Sequence, residues 1–341
     1  MEIFNLLNWE TWNLFNKNRT YTQKLFLAKE IEGVSKNELF PRLSSHPVLP
    51  DIDFINHLNL TSIIDDADYV LVPHSWKHIK KNRNYLVYLH NLGRDTPLLV
   101  VNSGDVSPRC NLINTIELRT FLHPWEKGIR KIILPYPVKE KNFVLRKWKP
   151  KPTVSFMGYV PKLGPGSLFG ASIHGIKTPI KSSVYLNRKI GTSKLKRLNS
   201  IFEIELNIRS SFTAYKSNPN LESRIEEYEF SLENSDYILC PRGSGNTSIR
   251  FYESLSAGRT PILIDSGGNN PKITNDVFWR LNVVNVSLFS NWSKQILDDW
   301  AKMAVKNNYE NRQKDNHKIF LEELRFSNYL KKLFQKYLLV S

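Results

Sequence analysis

The chain has 341 residues, with 48 Lys and Arg against 32 Asp and Glu, a formal net charge of +16. Its 41% hydrophobic and 12% aromatic residues, with only 15 glycines and 18 prolines, supply enough apolar mass for two cores and exclude a disordered, collagen-like or low-complexity chain. Two cysteines, Cys110 and Cys240, make no disulfide framework; no apolar run approaches the roughly 18 residues of a membrane span; and the opening MEIFNLLNWETWNLFNKNR lacks a basic leader and a small-residue cleavage site, so a cytoplasmic, reducing location is expected.

In chain order, short apolar runs of strand type fall at Tyr69 to Pro73, Leu98 to Asn102, Lys131 to Leu134, Val154 to Met157, Ile201 to Ile208, Tyr237 to Cys240, Pro261 to Ile264 and Val283 to Val286. Amphipathic stretches separate them, which predicts an α/β alternation. Between Lys139 and Pro152 the composition turns basic and proline-bearing, KEKNFVLRKWKPKP, and marks a linker with its boundary near Lys149. The expected units are therefore 1–149, 150–310 and a helical tail, 311–341. From Ser293 to Val340 the pattern is helical, with Leu330, Leu333, Phe334, Tyr337 and Leu338 on one face. Flanked by Lys331, Lys332 and Lys336, that face suits either packing on a domain or an interfacial contact with a membrane.

Charge is unevenly placed. No Asp or Glu occurs from Lys141 through Phe202, a stretch that carries thirteen basic residues. Such a field concentrates polyanions: an anionic growing glycan, the phosphates of a lipid-linked acceptor at the acidic inner face of the plasma membrane, or nucleic acid. Nucleic acid is not expected, because no helix-turn-helix, zinc-ligand spacing or RNP-like aromatic motif is present to read bases. The glycine-bearing segment 159–178, with its lone His174, reads as a loop that either closes over a ligand or is an ordinary surface excursion.

The densest signal is SDYILCPRGSGNTSIRFYESLSAGRTPILIDSGG, Ser235 to Gly268. Tyr237 to Cys240 is a strand that Pro241 stops; Arg242, Gly243, Ser244, Gly245, Asn246 and Thr247 form a polar loop; a helix begins near Ser248, ends at Gly258, and Thr260 to Asp265 returns as a buried strand. Free N–H groups at a helix start favour an anion, and Arg250 and Arg242 can fork onto phosphate oxygens. Glu253 would repel phosphate but can accept hydrogen bonds from ribose hydroxyls. The plain alternative is that Arg250 and Glu253 merely pair across one helical turn. Arg209, after the predicted strand ending at Ile208, is a second arginine for a diphosphate.

Cys240-Pro241-Arg242-Gly243, Ser248, Arg250, Glu253, Gly258 and Pro261-Ile262-Leu263-Ile264 resemble the C-terminal signature of exostosin-like glycosyltransferases. Weaker similarities are Ala67-Asp68-Tyr69-Val70-Leu71-Val72-Pro73, Gly93-Arg94-Asp95 and Phe156-Met157-Gly158; Thr96 stands where the family has a histidine, whose role is therefore not carried over. The resemblance implies a GT-B architecture: α/β, two facing Rossmann-like domains, the donor held by the second, and a C-terminal helix that braces the first. It also implies inverting transfer of a sugar from a nucleoside diphosphate sugar, with polysaccharide synthesis as the setting.

The expected chemistry is attack of an acceptor hydroxyl on the anomeric carbon as the nucleoside diphosphate departs. Arg242, Arg250, Arg209, Gly243, Ser244, Thr247, Ser248 and Glu253 are the expected donor site, with a UDP-sugar the first donor to try and the acceptor a glycan or lipid-linked sugar. No cofactor and no metal are expected, since Asp51-x-Asp53 lies in a proline-bounded loop outside the donor domain. Asp105, just past a buried strand, is the first candidate for the base that deprotonates the acceptor, and His74 the second, ahead of Asp95 and His123. Each has a mundane reading as a turn, cap or ion-pair residue. A non-catalytic carbohydrate- or polyanion-binding protein of the same fold is the alternative function.

Overall fold

The computed structural model describes residues 25–28, 60–72, 74, 76–101, 110–120, 122, 130–160, 184–209, 221–243, 247–265, 271, 276–305 and 307–333. They fall into two compact units. The first comprises Met1–Val138, Asn269–Thr274 and Glu323–Ser341, the second Lys139–Gly268 and Asn275–Glu322.

The first unit is built on parallel strands β1 (Leu25–Leu27), β2 (Leu60–Thr61), β3 (Tyr69–Val72), β4 (Leu98–Val101), β5 (Thr115–Arg119) and β6 (Lys131–Ile133), in the order β2-β1-β3-β4-β5-β6. Every residue of β3 and β4 is buried, as a parallel strand covered on both faces requires. Alternation divides them between two cores. Tyr69, Leu71, Leu99, Val101 and Leu118 pack with Phe326, Tyr329, Leu330 and Leu333 of the C-terminal helix Phe326–Lys332, whereas Val70, Val72, Leu98 and Val100 pack with Trp76, Tyr85 and Leu89. The last two side chains come from helix Arg83–Leu92, whose first turn is capped by the Asn82 side chain accepting from Tyr85 N at 3.0 Å. Tyr329 also donates its hydroxyl to Ile133 O at 2.9 Å, so the returning helix is fixed to the sheet edge by a hydrogen bond as well as by burial.

The second unit holds parallel strands β7 (Thr153–Tyr159), β8 (Glu203–Arg209), β9 (Tyr237–Cys240), β10 (Thr260–Ile264) and β11 (Val284–Val286), ordered β11-β10-β9-β7-β8. Read from the first strand this is the doubly wound order 2-1-3-4-5, whose direction of winding reverses between β7 and β9. Helices Val184–Arg197, Leu221–Asn234, Ile249–Ser256, Asp276–Leu281, Trp292–Met303 and Asn308–Ile319 complete it. One core gathers Val154, Phe156, Tyr237, Leu239, Ile262 and Ile264 from the strands against Leu195, Trp292, Ile296 and Trp300. The edge strand β8 alternates charged and apolar residues, which keeps its free edge wet.

Both sheets and the α/β alternation are as expected, but three strands were not anticipated. β1 and β2 are short, and β5 places Glu117 and Arg119 two apart on one buried face, where they approach to 3.6 Å, so an inward ion pair disguises a core strand as a polar run. The described part of the stretch from Ser293 is helical as expected, but it is interrupted after Met303, where Asn307 adopts a left-handed φ of 66°, and again by a π-type turn at Phe320–Leu324, through which the chain passes back to the first unit. The change of unit falls at Val138–Lys139 rather than near Lys149: Arg146 of the basic segment pairs with buried Asp236 at 3.0 Å, and Trp148 stacks on Trp300. Among the described residues no helix is long and apolar enough to cross a membrane.

Candidate functional site

At the reversal of winding in the second unit, the carboxyl ends of β7 and β9 lie side by side. This is where doubly wound sheets open a crevice for ligands. β9 runs out through Pro241 into Arg242, which is buried, and then Gly243, whose N–H donates to Thr247 O at 2.7 Å. Ser248 then precedes helix Ile249–Ser256 with an extended backbone, φ −119° and ψ 120°. It is buried, yet its hydroxyl caps no N–H and has no hydrogen-bond partner among the described residues. A buried hydroxyl at a helix start ordinarily finds a hydrogen-bond partner.

Arginines from three elements converge on the last three residues of β7. Arg250, in the first turn of the helix, donates from Nε to Met157 O at 2.9 Å and lies over the Phe156 ring at 5.1 Å. Arg188, buried in helix Val184–Arg197, donates from Nη1 to Tyr159 O at 3.0 Å and from Nε to Arg242 O at 3.3 Å. Arg209, at the end of β8, reaches Met157 Sδ at 3.2 Å and Arg224 O at 3.1 Å. Gly158 makes room for this, because a Cβ there would stand 2.2 Å from Arg250 Nη2. These contacts orient the three guanidiniums toward one end of the sheet. Burial, and next the charge of Arg250, pulls the Arg188 guanidinium down to about 10. Three guanidiniums are thus gathered beside the start of helix Ile249–Ser256 and the Ser248 hydroxyl.

Among the described residues no ion pair joins Arg250 to Glu253, so the plain alternative of a pair across one helical turn is not what forms. Glu253 is buried and takes the Tyr228 hydroxyl on Oε2 at 2.5 Å. The structure thus brings together Arg242, Gly243, Thr247, Ser248, Arg250, Glu253 and Arg209 around one sheet end. Sequence reasoning missed Arg188 and Tyr228. Both lie within helices, in stretches with no motif to single them out, and only the tertiary fold carries them to this end of the sheet.

The proposed base residues are placed differently. His74 follows β3 in the first unit and is buried, its ring edge-on to Tyr85 at 5.7 Å. Asp95 is exposed on the turn after helix Arg83–Leu92. Asp105, His123, Ser244, Asp51-x-Asp53 and residues 161–178 lie outside the described residues.

Two doubly wound α/β units, the second with arginines gathered at its reversal point, define the architecture of the chain. No protein-family model matches the chain, and no curated protein matches it. Among solved structures it is similar to WaaG, a glycosyltransferase involved in lipopolysaccharide biosynthesis, at 7% identity and a TM-score of 0.39 over 91% of this chain and 99% of that one. It is similar also to HepE from Anabaena in complex with UDP, at 9% identity and a TM-score of 0.37 over 90% and 98%, and to the GtfA/B complex, at 9% and 0.38 over 79% of this chain but 57% of that one. Likeness this distant decides nothing about the chemistry, which rests on the residues.

Proposed function

We propose that the chain is an inverting, exostosin-like glycosyltransferase of GT-B type that transfers a sugar from a nucleoside diphosphate sugar to a hydroxyl of a glycan or lipid-linked acceptor. The observation that carries this reading is the convergence of Arg188, Arg209 and Arg250 on Met157–Tyr159 beside the unpartnered Ser248 hydroxyl, with a carboxylate, Glu253, one turn further along the helix. Anion donors and a carboxylate set side by side match the two halves of a ribonucleoside diphosphate.

In the reaction the acceptor oxygen forms its bond to the anomeric carbon as the bond from that carbon to the β-phosphate oxygen breaks. The electron pair leaves with the nucleoside diphosphate, and the acceptor proton passes to a base, for which Asp105 and then His74 are the candidates. The arginines hold the departing charge, the role a divalent cation plays in other transferases, so transfer proceeds without metal. A UDP-sugar is the first donor to try. The basic stretch Lys141–Phe202 favours an anionic acceptor, at the cytoplasmic face of the plasma membrane, in cell-surface polysaccharide synthesis.

Thermal unfolding with UDP, GDP, CDP, dTDP and ADP, each with and without magnesium, tests the site on the wild type and Arg250→Ala. A ligand at 100 times its Kd adds roughly 2.7 kcal/mol, a shift of a few degrees. One nucleotide should raise the midpoint without metal, and Arg250→Ala should abolish that shift. No shift with any nucleotide would reject the donor site, and binding without turnover of any sugar donor would leave a non-catalytic binding protein.

A further inference from the structure

Glu253 and Tyr228 come from different helices, Ile249–Ser256 and Leu221–Asn234, and meet in a hydrogen bond of 2.5 Å from the phenol to Oε2. A glutamate at the surface of a crevice ordinarily turns freely about its last torsion and offers either oxygen. Here one oxygen is taken. The other, Oε1, receives no hydrogen bond from the described residues and is not among the buried atoms that lack a partner, so it is the oxygen open to a ligand.

The phenol is itself held. Lys141 places its ammonium 5.8 Å from the Tyr228 ring centroid, pairs with Glu229 at 3.2 Å, and through its backbone N–H bonds Ser256 Oγ at 2.7 Å, at the far end of the helix that carries Glu253. Tyr228 and Glu253 are therefore tied to one another and, through Lys141, to the same two helices. Burial, and next the charge of Glu253, keeps the Tyr228 hydroxyl protonated well above its ordinary range, so it remains a donor at any working pH.

We infer that Tyr228 is a positioning residue that fixes the Glu253 carboxylate with a single oxygen facing the ligand, and that this pinned oxygen selects ribose over 2′-deoxyribose nucleotides. The inference rests on the nucleoside diphosphate reading of the site. A pinned acceptor rewards a ligand hydroxyl that reaches it and penalises the analogue that leaves it empty, because a buried charged acceptor without its donor loses a charge-assisted hydrogen bond. A carboxylate free to turn can satisfy itself on water or on the remaining hydroxyl, and discriminates less.

Titration calorimetry with UDP and 2′-deoxy-UDP, or the same pair on whichever base wins the thermal screen, tests this on the wild type, Tyr228→Phe and Glu253→Gln. The wild type should prefer the ribonucleotide by roughly tenfold or more. Tyr228→Phe, which keeps the ring and the Lys141 contact, should weaken the ribonucleotide by about tenfold while leaving the deoxy analogue within about twofold, so that most of the preference disappears. Glu253→Gln should lose the preference too, since an amide turned toward the ligand donates where the carboxylate accepts. Equal weakening of both nucleotides by Tyr228→Phe would show a merely structural role and overturn the inference, as would a ribose preference that survives either substitution. Failure of the wild type to bind either nucleotide would instead remove the donor-site reading, and the inference with it.

Discussion

A Cβ at residue 158 would meet Arg250 at two atoms, Nη2 at 2.2 Å and Cζ at 3.1 Å, and both belong to the mobile end of a long side chain. Moving the guanidinium can relieve the clash, whereas the φ of 159°, which L residues rarely adopt, adds a backbone cost, so the substitution burdens both the site and stability. Gly158→Ala is expected to lower the melting midpoint by a few degrees and to remove the nucleotide-induced shift. In an Arg250→Ala background the same change should have no further effect on binding, because the atom it displaces is gone. Independent, additive losses in the double variant would mean that Gly158 serves something other than the seat of Arg250. Arg250 and Glu253 could be read from the sequence because a glycine loop followed by a helix start fixes their spacing from each other and from the loop. Arg188 could not, since it reaches Arg242 O across 54 residues of chain and nothing local distinguishes it from the other cations of the acid-free stretch.

Helix Ile249–Ser256 ends at a residue that cannot carry a side chain. Gly258 has φ 74°, and a Cβ there would lie 2.4 Å from Phe143 Cε2 and 2.9 Å from Gln313 O. Phe143 in turn stacks on His317 at 4.4 Å, and His317 Nδ1 sits 2.6 Å from Ser256 O, so the helix end, the basic segment and helix Asn308–Ile319 lock together at one point. Gly258→Ala should cost about 1–2 kcal/mol for the left-handed backbone and about 1–3 kcal/mol for overpacking. Urea denaturation should show that loss in the midpoint with an unchanged slope, and Phe143→Ala in the same background should recover part of it; an unaltered midpoint would refute the packing account. Gly258 as a helix stop was legible, and so were the central strands, because parallel strands buried on both faces appear as unbroken apolar runs such as Tyr237–Cys240. β5 was not, since its inward Glu117 and Arg119 are brought into an ion pair only by folding. Nor were the breaks in the tail, where Asn307 turns the chain without the glycine or proline that usually announces such a turn.

Across both units the buried weak acids share one sign. Burial pushes the thiols of Cys110 and Cys240 up to about 11 and about 12, and the phenol of Tyr69 up to about 12. Burial likewise raises Tyr228, Tyr237 and Tyr309, reinforced by the carboxylates of Glu253, Asp299 and Asp236. In the unfolded chain these groups ionise near their ordinary values, 9.0 for cysteine and 10.0 for tyrosine. A raised folded value contributes stability that is complete below the unfolded value and is lost as pH climbs toward the folded one, because the native state then keeps protons that the unfolded state has released. Arg188 and Arg259, both pulled down to about 10 chiefly by burial, act in the opposite sense between about pH 10 and 12.5. Six acids outweigh these two bases and Lys194, which burial also lowers, and each unbalanced proton is worth roughly 1.4 kcal/mol per pH unit. Stability should therefore hold level to about pH 9 and then fall as pH rises further. Self-repulsion does not explain such a fall, because the pI of about 9.6 places the least net charge where the loss begins. Urea midpoints measured at intervals from pH 7.5 to 11 test this, alongside tyrosinate absorption, which should rise in one step with unfolding. A midpoint still unchanged at pH 10.5, or tyrosinate appearing along the titration curve of a free phenol while the fold persists, would show that these side chains ionise in place.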